Sequence, residues 1–454
     1  MSASGGGTAQ FAQFAIDTPE SIIPDAVFDA ATNALLDTVG VGYAGRNDHT
    51  VEILETLSLA TGGQPQAQVW GKNRATSTAE AAFLNATQAH ALDYDDSSLT
   101  LRGHPSATLV SVALAVGEET NASGRDVLAA YSIGLEVASK LSPALGPDHY
   151  FRGWHTSATA GIFGATATAA RLYRLSTEQL RNAWGIAASQ ASGLKTNFGT
   201  MTKALHIANA ARGGIVAAQL ARSGFTSDQS ILDGPGGFID TYRGNDSQPV
   251  EQQAGRVGAP WELVNPGLYV KQWPCCYASH RPIAGMLELV SNHSLSPDDI
   301  VRIDVGFLPG TEQPLIFREP INELQAKFSV EYPVAAVILD RKIDFDSFAD
   351  ERVCRPAAQD LMKKIHRFLM PDDGVYNGLT GHTDLKITTI NSAFTHRVSE
   401  TPGSPTRPLT ASQRKTKFMS CTMRAIPRQS AESLYSRLIQ CRALNSAREI
   451  WIAS

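Results

Sequence analysis

Apolar side chains in the first roughly 260 residues recur at helical spacing, with alanine filling many of the small positions. Three segments open with a serine followed three residues on by an acid or amide, the capping-box pattern: Ser77 with Glu80, Ser123 with Asp126, and Ser176 with Gln179. After Ser176, the positions Leu180, Ala183, Trp184, Ala187 and Ala188 follow the i, i+3, i+4, i+7, i+8 rule, which predicts a helix with one buried stripe. Glycine and alanine recur through 161–170 and 208–218, so helix axes are expected to approach closely there. Glycine and proline then cluster at 232–237 and 258–267, which places a domain boundary near residue 265.

Beyond that boundary the period changes. Val301, Ile303, Val305 and Phe307 alternate with Arg302, Asp304 and Gly306, the pattern of a half-buried strand. Leu385–Ile390 and Phe394–Val398 predict a strand pair turning at Asn391-Ser392, so this region reads as a small α+β domain. The tail from Ser430 is helical in pattern and is expected to return to the first domain. The fold class is mainly α: a large all-helical domain with a smaller α+β domain, as expected when 454 residues exceed one core.

Composition narrows the function classes. Hydrophobic residues at 43% and charged residues at 18% suit a globular chain with a large buried surface. A net charge of -5 without a local basic patch argues against nucleic acid as a partner. The opening MSASGGGTAQ has neither a basic start nor an apolar run, and no segment reaches the apolar length of a membrane span, so a cytoplasmic location away from membranes is expected. The five cysteines, Cys275, Cys276, Cys354, Cys421 and Cys441, form neither a disulfide framework nor a zinc pattern and read as free thiols.

Four segments concentrate polar chemistry. The first runs from His90 through Asp93, Asp95 and Asp96 to Arg102, His104 and Ser106. Three carboxylates so close together repel, so each needs pairing, hydrogen bonding or a proton. An aspartate-rich magnesium site is one reading, but its second acidic motif is missing; a helix end with solvated acids is the plain alternative. The second holds His149, Tyr150, Phe151, Trp154 and His155, where Phe151 and Trp154 could equally be core anchors and His155 a helix cap. The third, Asn197 to His206, places Lys203 in an otherwise uncharged stretch, where burial would make its amine a usable base. The fourth, Lys271 to Pro282, sets Lys271, His280 and Arg281 among aromatic residues that could hold carboxylates, with ordinary surface cations as the alternative.

Together these segments resemble the MmgE/PrpD family, whose members include 2-methylcitrate dehydratase, cis-aconitate decarboxylase and iminodisuccinate epimerase. The motifs that carry the likeness are Asp93-Tyr-Asp-Asp96 leading to His104-Pro-Ser, Gly153-Trp-His155, Thr202-Lys203 with His206 and Ala210-Ala-Arg212, and Lys271-Gln-Trp-Pro274. Arg102-Gly-His-Pro-Ser, His149-Tyr150, Asn197-Phe-Gly-Thr-Met-Thr-Lys203, Tyr277-Ala-Ser-His280 and Val305-Gly-Phe-Leu-Pro-Gly310 are worded most like iminodisuccinate epimerase. Cys276 lies near where the decarboxylases often carry a histidine, a departure that counts against simple decarboxylation. Tyr332 matches a pocket tyrosine of the decarboxylases.

The resemblance implies a helical domain over 1–265 completed by 400–454, an α+β lid over 266–399, a homodimer, and no metal or organic cofactor. It further implies an epimerase that removes a proton alpha to a carboxylate of a small di- or tricarboxylic acid. Lys203 and Tyr150, with His155, would then act on the two faces of that carbon, while Asp93 orients a neighbouring lysine or histidine. His104, Arg102 and Lys271 would hold the developing enediolate, and His280, Tyr332 and Asp96 would complete the substrate contacts. The alternative is a lyase of the same family, decarboxylating an aconitate or dehydrating a citrate-like acid. A non-catalytic metabolite-binding relative is the third reading.

Overall fold

The computed structural model describes residues 6–293, 295–371 and 378–451; the first five residues of the opening read for a targeting signal lie outside them. The chain divides into two units. One takes Met1–Thr196, Lys203–Leu268 and Thr410–Ser454, the other Asn197–Thr202 and Tyr269–Leu409. The glycine-proline signal near 265 falls close to this division, whereas the excursion at 197–202 carries no such signal.

The larger unit is helical. The boxes at Ser123 and Ser176 form in full, each serine accepting from the third backbone N–H while Asp126 or Gln179 accepts from the cap. Ser77 precedes its helix without a side-chain bond, because Glu80 turns to Arg212 instead. The predicted stripe buries Leu180, Ala183, Trp184 and Ala187, and the Trp184 ring nitrogen donates to the Phe163 carbonyl at 3.0 Å. At the centre, the Pro105–Thr120 helix is apolar all round and buried along nearly its whole length, as a helix enclosed by others must be.

Small residues decide how closely these helices pack. A Cβ added at Gly164 would lie 2.5 Å from the Gly134 carbonyl oxygen, so the Gly124–Leu145 and Gly161–Leu172 helices touch backbone to backbone. A Cβ added at Gly214 would likewise lie 2.7 Å from the Cβ of Ala165. The C-terminal segment closes the unit: Lys417, on the Ala411–Thr422 helix, pairs with Asp37 at 2.7 Å and donates to the Tyr94 carbonyl at 3.1 Å.

The second unit is α+β. Its sheet has the strands in the order 365–369, 300–307, 383–389, 393–398, with the first pair parallel and the others antiparallel. Ile300, rather than Val301, points inward at the start of the Ile300–Phe307 strand, because the register shifts between Ile300 and Arg302. The Ile365–Leu369 strand escapes the alternation rule: four of its five residues are at least partly solvated, but Arg367 donates to Glu331 at 2.7 Å and anchors it. The His280–Asn292 and Glu331–Asp340 helices supply Ile283, Met286, Val334 and Val337 to this core.

The cysteines are free, Cys354 exposed and the others buried, and burial pushes the Cys421 and Cys441 thiols up to about 12. Among the described residues no helix is long and apolar enough to cross a membrane.

Candidate active site

The helix Thr78–Ala91 delivers His90 at its C-terminal end, and Asp93 then takes a left-handed backbone, φ 49°, that turns the chain. The three aspartates that follow each meet a separate partner. The Lys203 ammonium donates to Asp93 at 2.5 Å; His90 Nδ1 donates to Asp95 at 2.8 Å; the Ser106 hydroxyl donates to Asp96 at 2.5 Å. Repulsion among the carboxylates is thus relieved by one cation, one imidazole and one helix N-terminus.

Lys203 sits in the first turn of the Thr202–Arg222 helix and is 5% exposed, with His206 one turn further along. Besides Asp93, its ammonium donates to His90 Nε2 at 2.9 Å, which fixes His90 with its hydrogen on Nδ1. Lys203 Nζ is thus held in an ion pair with Asp93. His104 donates from Nδ1 to the Asp96 carbonyl at 2.9 Å, which leaves its lone pair on Nε2. His155 and His206 share a hydrogen between their Nδ1 atoms at 3.1 Å. Ring centres separate by 4.8 Å for His90 and His104, 5.3 Å for His155 and His206, and 6.5 Å for His104 and His155.

Two backbone links hold these segments together. The His104 N–H donates to Ser157 Oγ at 2.9 Å, an approach possible because residue 103 is glycine: an added Cβ would lie 2.4 Å from that oxygen. The His155 N–H donates to the Gly193 carbonyl at 3.0 Å.

The electrostatics favour neutral imidazoles. Burial, then the Lys203 charge, pushes His155 well below the usual histidine range and His206 down to about 4. Burial also lowers His90, although the facing Asp95 opposes it. Asp96 moves the other way, raised to about 7 by burial despite the Ser106 hydrogen bonds. A carboxyl whose folded pKa is raised destabilises the fold as it is forced to ionise, so stability is lost as pH rises from 3.8 towards about 7. Relative to Asp96→Asn, the native chain should therefore lose stability across that window and keep a constant difference above it. Urea melts of both proteins at pH 4 to 8 check this; a difference independent of pH refutes it.

His90, Asp93, Asp95 and His104 also present ligand-type atoms within 4.8 Å of one another, a spacing that could hold a metal ion. Here the Lys203 ammonium already supplies positive charge to Asp93 and His90, so a divalent ion would have to compete with it.

The other expected site residues are placed as follows. Tyr150 lies half-buried on the short Pro147–Phe151 helix, with the Arg102 charge close enough to act on it. Phe151, a candidate core anchor, is 40% exposed and lies under the Arg102 guanidinium. Asp96, expected to touch substrate, is 1% exposed and spent on the start of the Pro105–Thr120 helix. Lys271, His280 and Tyr332 belong to the second unit. Lys271 and His280 are fully buried rather than surface cations, and His280 stacks on Tyr277. Tyr332 is in that unit's core against Phe348, and its hydroxyl donates to the Ser347 carbonyl. His90, Asp95 and His206 carry the cluster without having been assigned roles from sequence. The signal for the first two was a histidine at a helix end five residues before an acid.

Residues 9–251 match the model of the MmgE/PrpD N-terminal domain, and residues 273–439 match that of the MmgE/PrpD C-terminal domain. The chain belongs to the MmgE/PrpD family. Within the MmgE/PrpD family it is similar to cis-aconitate decarboxylase of Homo sapiens, 28% identical over 427 residues that cover 91% of this chain and 87% of that protein. The Mus musculus protein of the same name is 28% identical over 431 residues, covering 91% and 86%. The Aspergillus terreus one is 26% identical over 388 residues, covering 80% and 78%. These MmgE/PrpD relatives carry the name of a lyase, whereas the motif wording favoured an epimerase.

Proposed function

We propose that this protein is a lyase that decarboxylates a small unsaturated tricarboxylic acid of the cis-aconitate type. The observation that carries the reading is the Lys203 ammonium, buried between Asp93 and His90 and surrounded by histidines kept neutral by burial. It joins the similarity, over nine-tenths of the chain, to proteins named cis-aconitate decarboxylase.

In such a reaction the bond between the carbon skeleton and one carboxylate breaks, carbon dioxide departs, and the electron pair stays on carbon, delocalised through the adjacent double bond. A proton must then reach carbon. Lys203 is the donor this arrangement favours: as an ammonium it carries the hydrogen to be delivered, and its positive charge lies where negative charge develops on carbon as carbon dioxide departs. Asp93 and His90 hold the ammonium in one place, so no reorganisation is needed as charge develops. His104, with its lone pair on Nε2 and its side chain 15% exposed, is the group suited to exchange protons with water and restore the lysine.

Incubation in deuterium oxide with cis-aconitate, trans-aconitate, 2-methylcitrate and iminodisuccinate, followed by NMR, tests the assignment. Carbon dioxide release with one solvent deuterium retained at carbon is the expected outcome for an aconitate. Deuterium incorporation into iminodisuccinate with no fragment lost would establish an epimerase instead, and loss of water from 2-methylcitrate a dehydratase.

A further inference from the structure

The helical unit pairs its buried lysines with carboxylates. Lys140 meets Glu262 at 2.7 Å, Lys203 meets Asp93, and Lys417 meets Asp37 at 2.7 Å. Half-buried cations of the unit follow another rule: Arg46, Arg181 and Arg437 donate to backbone carbonyls, and Arg102 and Lys195 differ from these in lying beside the same tyrosine. Among the described residues neither Arg102 nor Lys195 has a carboxylate partner, although the surrounding protein removes much of the water from both. Burial alone pushes the Lys195 amine down to about 8, and burial also lowers Arg102, with only the Tyr150 hydroxyl to offset it.

Both converge on Tyr150. The Lys195 ammonium lies 3.6 Å from the centre of the Tyr150 ring and donates to the Tyr150 carbonyl at 2.9 Å. The Arg102 guanidinium lies 6.0 Å from the ring of Phe151 next along. Arg102 holds a left-handed backbone, φ 54°, a conformation that costs free energy for a residue with a side chain and that aims it from the turn before His104. Lys195 is registered against the other histidine segment: its own N–H donates to the Gly153 carbonyl at 2.7 Å, in the same pairing that joins His155 to Gly193.

We propose that Arg102 and Lys195 form an anion station at Tyr150 that takes the carboxylate of the substrate remote from the reacting carbon. This rests on reading the substrate as a small polycarboxylate, and it adds Lys195 as a binding residue. A planar guanidinium and an ammonium that lack internal anions gain most from a ligand carboxylate, because the charge they meet restores what desolvation removed. What sets these two cations apart is that both lie at Tyr150, with Arg102 two residues from His104 and Lys195 two residues from the Gly193 carbonyl that holds His155. A two-carboxylate acid that fills only the Lys203 end would leave the station empty, so the station selects for a third carboxylate.

Calorimetric titration of the full chain with tricarballylate, a saturated tricarboxylate, and with succinate, which lacks the third carboxylate, tests this without any turnover. Lys195→Met should weaken tricarballylate binding about tenfold and the Arg102→Met/Lys195→Met double variant about a hundredfold, with succinate changed less than about threefold. Lys195→Arg should hold tricarballylate within about threefold of the native chain. If the double variant does not fold, the single Lys195→Met comparison decides. Unchanged tricarballylate binding, equal weakening of both acids, or no tricarballylate binding by the native chain overturns the station. A negative result in the deuterium experiment overturns the decarboxylase reading alone.

Discussion

Lys203→Ala is expected to lower kcat by about a thousandfold or more, the combined loss, on the proposed mechanism, of a positioned acid and a fixed charge next to the reacting carbon. The variant also removes the Lys203 charge from the buried Asp93, 3% exposed, so a stability cost of about 3 to 5 kcal/mol is expected beside the kinetic loss. The two effects separate in the double variant Lys203→Met/Asp93→Asn. It removes both charges, and should recover most of the stability and stay inactive. Steady-state kinetics together with urea unfolding read both quantities. A Lys203→Ala protein that keeps native kcat would remove this lysine from the chemistry.

The second large effect is structural. Alanine in place of glycine within a helix ordinarily stabilises by up to about 1 kcal/mol, and the sign reverses where two backbones touch. At Gly164 an added Cβ would stand 2.5 Å from the Gly134 carbonyl oxygen and 2.8 Å from the Ala138 Cβ, and neither neighbour is the end of a flexible side chain. Gly164→Val must force the 124–145 and 161–172 helices apart. A loss of about 3 kcal/mol or more is expected, a large share of the 5 to 15 kcal/mol that holds a typical domain. Gly161, with nothing within 4 Å of its would-be Cβ, is the control: Gly161→Ala should leave the melt unchanged or raise it. Equal destabilisation at both positions would show that helix contact is not the cause.

Which parts of this were legible in the sequence follows from how local each signal is. Capping boxes at Ser123 and Ser176 are complete within four residues, and both form. Ser77 fails because its partner Glu80 is drawn to Arg212, distant in sequence. Strand alternation identified 300–307 but misplaced its first inward residue, since a register shift is decided by the neighbouring strand. The strand at 365–369 shows little alternation because one side chain, Arg367, anchors it through a buried ion pair.

The site was legible as a set of segments rather than as a set of bonds. Asp93, His104, His155 and Lys203 stand together as the motifs implied. That Lys203 pairs with Asp93, and that Asp96 serves a helix end, are properties of partners brought in from 10 to 110 residues away. Family likeness fixed the family, while the named relatives favour the lyase alternative over the epimerase reading, because motif wording around a shared polar centre does not say which bond the substrate breaks.

The Lys417 contacts bear on how this protein is made. Every member of the histidine and aspartate cluster has left the ribosome long before Lys417, which is 323 positions beyond the Tyr94 carbonyl it grips between Asp93 and Asp95. A nascent or C-terminally clipped chain therefore holds the whole cluster while the loop presenting Asp93 and Asp95, and Asp37, go without their Lys417 contacts. Activity is therefore expected to arrive only with completion of synthesis, and a protease that trims the tail should lower it without touching the histidine and aspartate cluster.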